Sequence, residues 1–243
     1  MSWLRWQLGC GAELPPETDD ASWLAPGELA RAAGFGPQRR HDFRLGRWVA
    51  KQALRAWLGP RPPASLEIEA GPDGAPRLRC GDGAPPCGIS LSHRADLALC
   101  TLFPRALAVG CDLERIEPRS DAFLEDFFTP AERARVAAAA GEQRWIAANL
   151  IWSAKESCLK ALRTGLSRDT RSIEIDLAAP GSSAAPAGWL RLSAVEREAG
   201  GEAASFGGWW RVHQGFVLTV LARGDVVAPV ELSAGPLDAA TSA

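Results

Sequence analysis

The sequence predicts an α+β fold in which two halves of similar plan each run from helix into strands. Three observations carry this expectation. A chain of 243 residues is comfortable for one large domain or two of about 120 residues each. With 47% hydrophobic and 23% charged residues it has material for a core and charge for a soluble surface. Helical periodicity, strongest at Arg39 to Leu58 and again at about Gln143 to Leu162, is followed each time by several short β-like runs. The 24 Gly and 18 Pro have no fixed period, so they punctuate turns and exclude a collagen-like or repeat architecture.

In chain order, Trp3 to Leu8 alternates loosely and predicts a strand, and Pro15, Pro16 and the acidic Glu17 to Asp20 predict a loop. A short helix is expected around Gly27 to Ala33. From Arg39 to Leu58, Phe43, Trp48, Leu54 and Leu58 recur at helical spacing, with Leu45 and Val49 between, and Gly59-Pro60 ends the helix. Strands follow at Leu66 to Ala70, Arg77 to Cys80, Gly88 to Ser92, Leu97 to Phe103 and Leu107 to Glu114. The second half has helical material from Asp121 to Ala140 and the long helix to Leu162. Strands are expected near Ser172 to Leu177, Trp189 to Val195, Trp209 to His213 and Phe216 to Leu221. Pro180 to Gly188 reads as a surface loop and the chain after about Pro229 as a frayed tail. Element order repeats between the halves, while no residue-level identity between them stands out. The divisions expected are 1–108, 109–230 and a flexible tail at 231–243.

Lys plus Arg number 27 against 29 Asp plus Glu, a net charge of -2 without the basic excess of a general nucleic-acid binder. No run approaches the length of a membrane span, and Met1 to Gln7 carries Arg5 and Gln7 where a signal peptide needs an apolar stretch. A cytoplasmic protein is expected, engaging neither membrane nor nucleic acid. The six cysteines, Cys10, Cys80, Cys87, Cys100, Cys111 and Cys158, include no CxxC pair and read as reduced structural thiols.

Four segments concentrate chemistry. Gly110-Cys111-Asp112-Leu113-Glu114 ends an apolar run; in a strand, residues two apart share a face roughly 7 Å apart, so Asp112 and Glu114 point one way and Cys111 and Leu113 the other. A solvated strand end with two surface acids is the bland alternative. Trp152-Ser153-Ala154-Lys155-Glu156-Ser157-Cys158-Leu159-Lys160 places Trp152, Glu156 and Lys160 one turn apart along one side of a helix, which is also readable as ordinary amphipathicity. Together these segments offer three carboxylates, Asp112, Glu114 and Glu156, with lysines beside them. Oxygen-only ligands suit a hard ion such as Mg²⁺, which shares its octahedron with water and substrate phosphates, so a diphosphate substrate is inferred. Ser90-Leu91-Ser92-His93-Arg94 brings hydroxyl, imidazole and guanidinium to a strand end, where Ser92 and His93 could bond a phosphate or His93 could be structural. Arg39, Arg40, Arg44, Arg47 and Lys51 form a basic helix face suited to phosphate recognition, or merely a solvated surface.

In this order the four segments resemble the 4'-phosphopantetheinyl transferase superfamily, in its two-lobed type that activates peptide synthetases and related carrier proteins. The resemblance runs from about Arg39 to Leu177. Gly110 to Glu114 is similar to the family's G-[VI]-D-[IL]-E and Trp152 to Lys160 to its W-[ST]-x-K-E-[AS]-x-x-K. Ser92-His93, Phe127-Phe128-Thr129-Pro130-Ala131-Glu132 and Gly165-Leu166 add weaker matches. The resemblance implies two α+β lobes related by pseudo-two-fold symmetry with the active site in the cleft between them. It implies transfer of phosphopantetheine from coenzyme A to a serine of an apo acyl or peptidyl carrier protein, with release of adenosine 3',5'-bisphosphate. Asp112, Glu114 and Glu156 would hold Mg²⁺, Lys160 would contact the phosphates, and Ser92, His93, Arg39 and Arg40 would bind the nucleotide end.

The attacking serine must lose a proton, for which Glu132 or Lys155 is the expected base. Where relatives carry G-K-P, this chain has Gly74-Ala75-Pro76, so a phosphate-binding lysine is missing and Arg77 or Arg79 is its expected replacement. A monomer is expected, since two lobes would complete the cleft within one chain. The competing readings are a Mg²⁺-dependent phosphohydrolase and a noncatalytic module that binds coenzyme A or a carrier protein.

Overall fold

The computed structural model describes residues 3–80, 83, 87–177, 188–197 and 204–232. Its first half runs β1 (Arg5–Cys10), α1 (Asp20–Trp23), α2 (Pro26–Ala33), α3 (Pro37–Leu58), β2 (Leu66–Ala70), β3 (Pro76–Cys80), β4 (Cys87–Arg94) and β5 (Leu97–Pro104). The second runs β6 (Val109–Arg115), α4 (Asp121–Phe127), α5 (Pro130–Ala138), α6 (Glu142–Leu162), β7 (Ile173–Asp176), β8 (Leu190–Glu196), β9 (Ser205–His213) and β10 (Phe216–Arg223), with β11 (Val230–Glu231) at the end. The α+β class expected from the periodicity is thus observed, and β-α-α-α-β-β-β-β is the element order of both halves.

Three boundaries depart from expectation. The helical stretch predicted over 121–140 breaks at Phe128, because Pro130 has no N–H to continue a helix. Thr129 instead caps a new one, its hydroxyl accepting from the Glu132 N–H. Part of the expected loop at Glu17 to Asp20 closes into the single turn α1. The tail expected after Pro229 is ordered at its start: β11 pairs in parallel with β1, and the Leu232 N–H donates to the Trp6 carbonyl at 2.8 Å. Residues 233–243 and most of the loop expected at Pro180 to Gly188 lie outside the described residues.

Strand order is β11-β1-β5-β4 in one sheet and β6-β10-β9-β8-β7 in the other, with β2-β3 as a separate ribbon. Alternation decides which face of each sheet meets what. On β5, Ala98, Cys100 and Leu102 pack under Leu45, Val49, Ala53 and Leu54 of α3, while Leu99 and Phe103 face the opposite way. On β6, Val109, Cys111 and Leu113 join that opposite side, and Gly110, Asp112 and Glu114 are left toward α6. The apolar layer between the sheets therefore belongs to both halves, with Leu4 and Trp6 of the first against Trp189, Trp209 and Val220 of the second. Trp6 and Trp189 meet edge to face at 5.5 Å, and burying side chains of this size contributes roughly 1.5–3 kcal/mol each. Hydroxyls fasten α6 to β10 beneath the site: Ser153 and Ser157 meet Thr219 at 2.9 and 2.7 Å.

A buried ion pair recurs in both halves and supplies the residue-level correspondence that the sequence alone did not reveal. Glu28, third in α2 after Pro26, accepts from the backbone N–H groups of Ala25 at 2.9 Å and of Ile68 in β2 at 3.0 Å. It also meets Lys51 Nζ of α3 at 2.5 Å. Glu132, third in α5 after Pro130, accepts from Thr129 N–H and from Ile175 N–H in β7, both at 2.8 Å, and meets Lys155 Nζ of α6 at 2.9 Å. Each lysine also donates to two carbonyls, Trp23 and Pro63 for Lys51, Thr170 and Ile173 for Lys155. Burial lowers both ammonium pKa values despite the opposing carboxylates. The sequence signal is a Pro-x-Glu followed 23 residues later by the lysine of Trp-x-Ala-Lys, at 28 to 51 and at 132 to 155.

Candidate active site

The site forms where the end of β6 meets α6. Gly110 makes the approach possible: a Cβ built there would lie 2.0 Å from the Ser157 carbonyl oxygen and 2.8 Å from the Ala161 nitrogen, both fixed backbone atoms of α6. The strand can therefore lie directly against the helix only with glycine at this position. Gly110→Ala is expected to cost at least about 1–3 kcal/mol through overpacking and to separate α6 from β6. A lowered denaturation midpoint with unchanged slope would register it, and a midpoint equal to the parent's would contradict it.

Two residues beyond Gly110, Asp112 is buried with both neighbours already in place. Its Oδ1 accepts from Ser92 Oγ of β4 at 2.8 Å and from Lys160 Nζ of α6 at 2.8 Å, and Lys160 also donates to the Cys111 carbonyl at 3.1 Å. Its Oδ2 is buried and has no hydrogen-bond partner. An ionised oxygen left in that condition is costly unless a cation or donor completes it. Burial works against the Lys160 charge, but the attraction of Asp112, with Cys111 and Glu156, outweighs it and holds the ammonium above its usual range.

Glu156 lies on the same helix one turn before Lys160, and its carboxyl makes no hydrogen bond or ion pair among the described residues. Burial foremost, then the charges of Asp112 and Glu114 against the relief from Lys160, raise its pKa from 4.5 to about 7. Glu114 is differently placed: Oε1 accepts from Trp152 Nε1 at 3.0 Å and Oε2 from Arg119 Nη2 at 2.8 Å, with Arg94 Nε 3.6 Å away. Among the described residues no three His, Cys, Asp or Glu side chains converge closely enough to enclose one ion. The open oxygens are those of Asp112 and Glu156, hard donors of the kind Mg²⁺ prefers, so the donor chemistry fits that ion.

Of the other predicted residues, His93 follows Ser92 at the end of β4. Its pKa is lowered, chiefly by the loss of solvent around the ring, with Asp42 and Asp112 opposing and Lys160 adding to the shift. Asp42 belongs to the start of α3, and neighbouring His41 reaches Asp96 in the β4–β5 turn at 2.9 Å, so that helix start borders the same strand end. Arg39 is exposed over the Phe35 ring at 4.6 Å, and Arg40 donates to the carbonyls of Ala32 and Phe35. Neither touches Asp112 or Lys160. Glu132 and Lys155 do not join the site at all. They are almost completely buried in the pair described above, the Lys155 ammonium engaged by Glu132, Thr170 and Ile173 and both Glu132 oxygens by backbone N–H groups, so the structure places neither expected base beside Asp112. Arg119 and Asn149, which hold Glu114 in place, carried no motif that would have singled them out.

Beside Lys160 opens a cleft of about 770 Å³ between β3–β4 of the first half and the ends of β6 and α6 of the second. Among the described residues, Arg77, Arg79, Arg105, Lys160 and Arg163 line it against Glu69 and Asp73. Ala75 is also on the wall, as are both arginines expected to replace the missing lysine.

Residues 108–199 match the family model described as the 4'-phosphopantetheinyl transferase superfamily. That stretch contains β6, α6, Asp112, Glu156 and Lys160. A holo-[acyl-carrier-protein] synthase of Rhodopseudomonas palustris (strain BisA53) is 39% identical over 69 residues, 25% of this chain and 50% of the relative. The chain thus spans half the length of the curated relative it matches. Among solved structures, a holo-(acyl-carrier-protein) synthase from Bacillus anthracis in complex with CoA (3',5'-ADP) aligns at 19% identity and a TM-score of 0.37, covering 42% of this chain and 94% of its own. The Thermotoga maritima holo-[acyl-carrier-protein] synthase aligns at 19% identity and 0.36, covering 53% and 76%.

Proposed function

We propose that this chain is a phosphopantetheinyl transferase, moving the 4'-phosphopantetheine arm of coenzyme A to a serine of an apo carrier protein with release of adenosine 3',5'-bisphosphate. The observation that carries the reading is the junction of Asp112, Glu156 and Lys160 at the head of a cation-lined cleft, inside the segment that matches the superfamily model. In this reading the halves are two copies of one plan related by a pseudo-two-fold axis, and the twin Glu–Lys pairs support it. The cleft between them receives coenzyme A, with Arg77 and Arg79 serving the phosphates in place of the absent lysine.

Asp112 and Glu156 would hold Mg²⁺, which when bound supplies charge neutralisation on the pyrophosphate. Lys160, kept charged by Asp112, meets the phosphate oxygens, and Ser92 fixes the orientation of Asp112. The carrier serine oxygen forms a bond to the β-phosphorus as the bond to the departing adenosine bisphosphate oxygen breaks. The serine proton passes to solvent, since the Asp112 and Glu156 carboxylates would be engaged by the ion. Alignment and charge compensation account for most of the acceleration, as is general for phosphoryl transfer.

Intact-mass spectrometry of an apo acyl or peptidyl carrier protein incubated with the enzyme, coenzyme A and Mg²⁺ tests this. A gain of about 340 Da that disappears with EDTA is expected for transfer through a metal-held diphosphate. Coenzyme A cleaved without labelling of any carrier would instead indicate a hydrolase, and coenzyme A bound but unchanged a binding module.

A further inference from the structure

The cleft beside Lys160 opens where a sheet is split. In the second half β8 and β9 pair from Leu190↔Trp210 to Val195↔Ser205, whereas among the described residues β3 and β4 do not pair and the β2–β3 ribbon joins neither sheet. The ribbon is fastened at two places. In β2 the Ile68 N–H donates to buried Glu28, and at the ribbon's tip Asp73 reaches across to the second half. Asp73 Oδ2 lies 3.5 Å from Nη1 of Arg163, the left-handed residue that ends α6, and 3.3 Å from Arg77 Nη2 of β3. Its Oδ1 accepts from the Ala75 N–H at 3.3 Å. Gly71 leaves room for this arrangement, since a Cβ there would lie 2.4 Å from Arg77 Nε and 2.5 Å from Asp73 Oδ1. Glu69 meets Arg79 at 2.8 Å and Asp112 meets Lys160 at 2.8 Å, so among the described residues Arg105 is the cation on the wall that makes no ion pair. The positive charge of the empty cleft is thus largely compensated by the chain's own acids.

We propose that Asp73 is an internal counter-anion, competing with the phosphates of an incoming ligand for Arg77 and Arg163 and so setting how tightly the cleft holds a polyanion. Both guanidiniums are at least half exposed, so their pairing with Asp73 is weak and exchangeable. A phosphate group carries more charge than a carboxylate and offers three oxygens to the guanidinium fork, so it displaces Asp73. Asp73 then keeps the Ala75 N–H, and the turn survives the exchange. Glu69 engages one arginine of its own ribbon, whereas Asp73 engages one from each half and so couples occupancy of the cleft to the contact between them. The inference rests on the transferase reading for its choice of ligand.

Isothermal titration calorimetry of the full chain with adenosine 3',5'-bisphosphate, without metal and at low and high salt, tests this. Asp73→Asn keeps the acceptor for the Ala75 N–H and removes the charge. It is expected to bind at least about threefold more tightly than the parent at low salt, a gain that shrinks as salt screens the pair. Arg77→Gln/Arg163→Gln is expected to bind more weakly than the parent, and Asp73→Asn added to that variant to bring a smaller gain than in the parent. Unchanged or weaker binding by Asp73→Asn overturns the proposal. A gain of equal size at high salt, or of equal size without the two arginines, also overturns it, because a rearranged turn and not a competing charge would then be the cause. So does the absence of binding by every variant. The expected pattern in a protein that labels no carrier would uphold the role of Asp73 and overturn the transferase reading alone, and a labelled carrier without the gain would do the reverse.

Discussion

Glu156→Gln is expected to lower carrier labelling by about 10²-fold or more, the scale of lost electrostatic stabilisation at the transferring group, while leaving the fold intact. The same substitution should change how the metal-free protein responds to pH. Glu156 has a folded pKa of about 7 against an ordinary 4.5, raised by burial and by Asp112 and Glu114. A carboxyl whose folded pKa is raised contributes stability that is fully present below 4.5 and lost as pH climbs through about 7, because the folded chain must then ionise a half-buried acid beside other acids. Thermal unfolding without metal should accordingly show the parent losing stability from pH 5 to pH 8. Glu156→Gln, fixed in the equivalent of the protonated form, should be flatter and more stable than the parent at pH 8. Mg²⁺ should restore the parent at high pH and do little for the variant. A variant that keeps full activity, or whose stability falls with pH in parallel with the parent, would remove Glu156 from the site.

The largest stability effect is expected at the pair Lys155 and Glu132. Lys155→Met leaves the Glu132 carboxylate buried at the start of α5 without its cation, and breaking such a pair costs roughly 3–5 kcal/mol. Glu132→Gln alone sets an amide NH2 against one of the backbone N–H groups of Thr129 and Ile175 and strands the ammonium of Lys155 between two carbonyls, so it should also destabilise. Combining both changes should cost less than the sum of the two, since neither charge is then left without its partner. Denaturant titrations of the two single variants and the double variant measure this coupling, and strictly additive losses would contradict it. Whatever folds in the double variant should retain its kcat at saturating substrates; a selective fall in kcat with stability unchanged would return Glu132 and Lys155 to the chemistry.

Local pattern made much of the architecture legible. Period two along Val109 to Glu114 separates Cys111 and Leu113 from Asp112 and Glu114, and the sheet respects that separation because only one side of β6 faces the apolar layer. The spacing of Trp152, Glu156 and Lys160 likewise survives, since helix geometry sets it before any packing. The long helices, α3 and α6, and most strands stand within a few residues of where periodicity put them. The break at Phe128 was less legible, because helical periodicity continues across Pro130 while the missing N–H interrupts the helix.

Adjacency in sequence could not say which charged groups work together. Lys155 and Glu156 are neighbours on one helix, yet about 100° of rotation turns one toward carbonyls after α6 and the other toward Asp112. Nothing in their spacing distinguishes a buried structural cation from an exposed one, because the deciding partners, Glu132, Thr170 and Ile173, arrive from other elements. Glu114 shows the same limit: its alternation with Asp112 was readable, but its capture by Arg119 depends on Asn149 of α6. The repeated Pro-x-Glu and Trp-x-Ala-Lys were present in the chain, but two short motifs 23 residues apart acquire meaning only when both are seen to close the same ion pair. Residue type and period thus established the elements and the oxygen-rich, lysine-bearing character of the site. Burial and long-range pairing, which depend on where distant segments pack, decided which acids remain available to a cation.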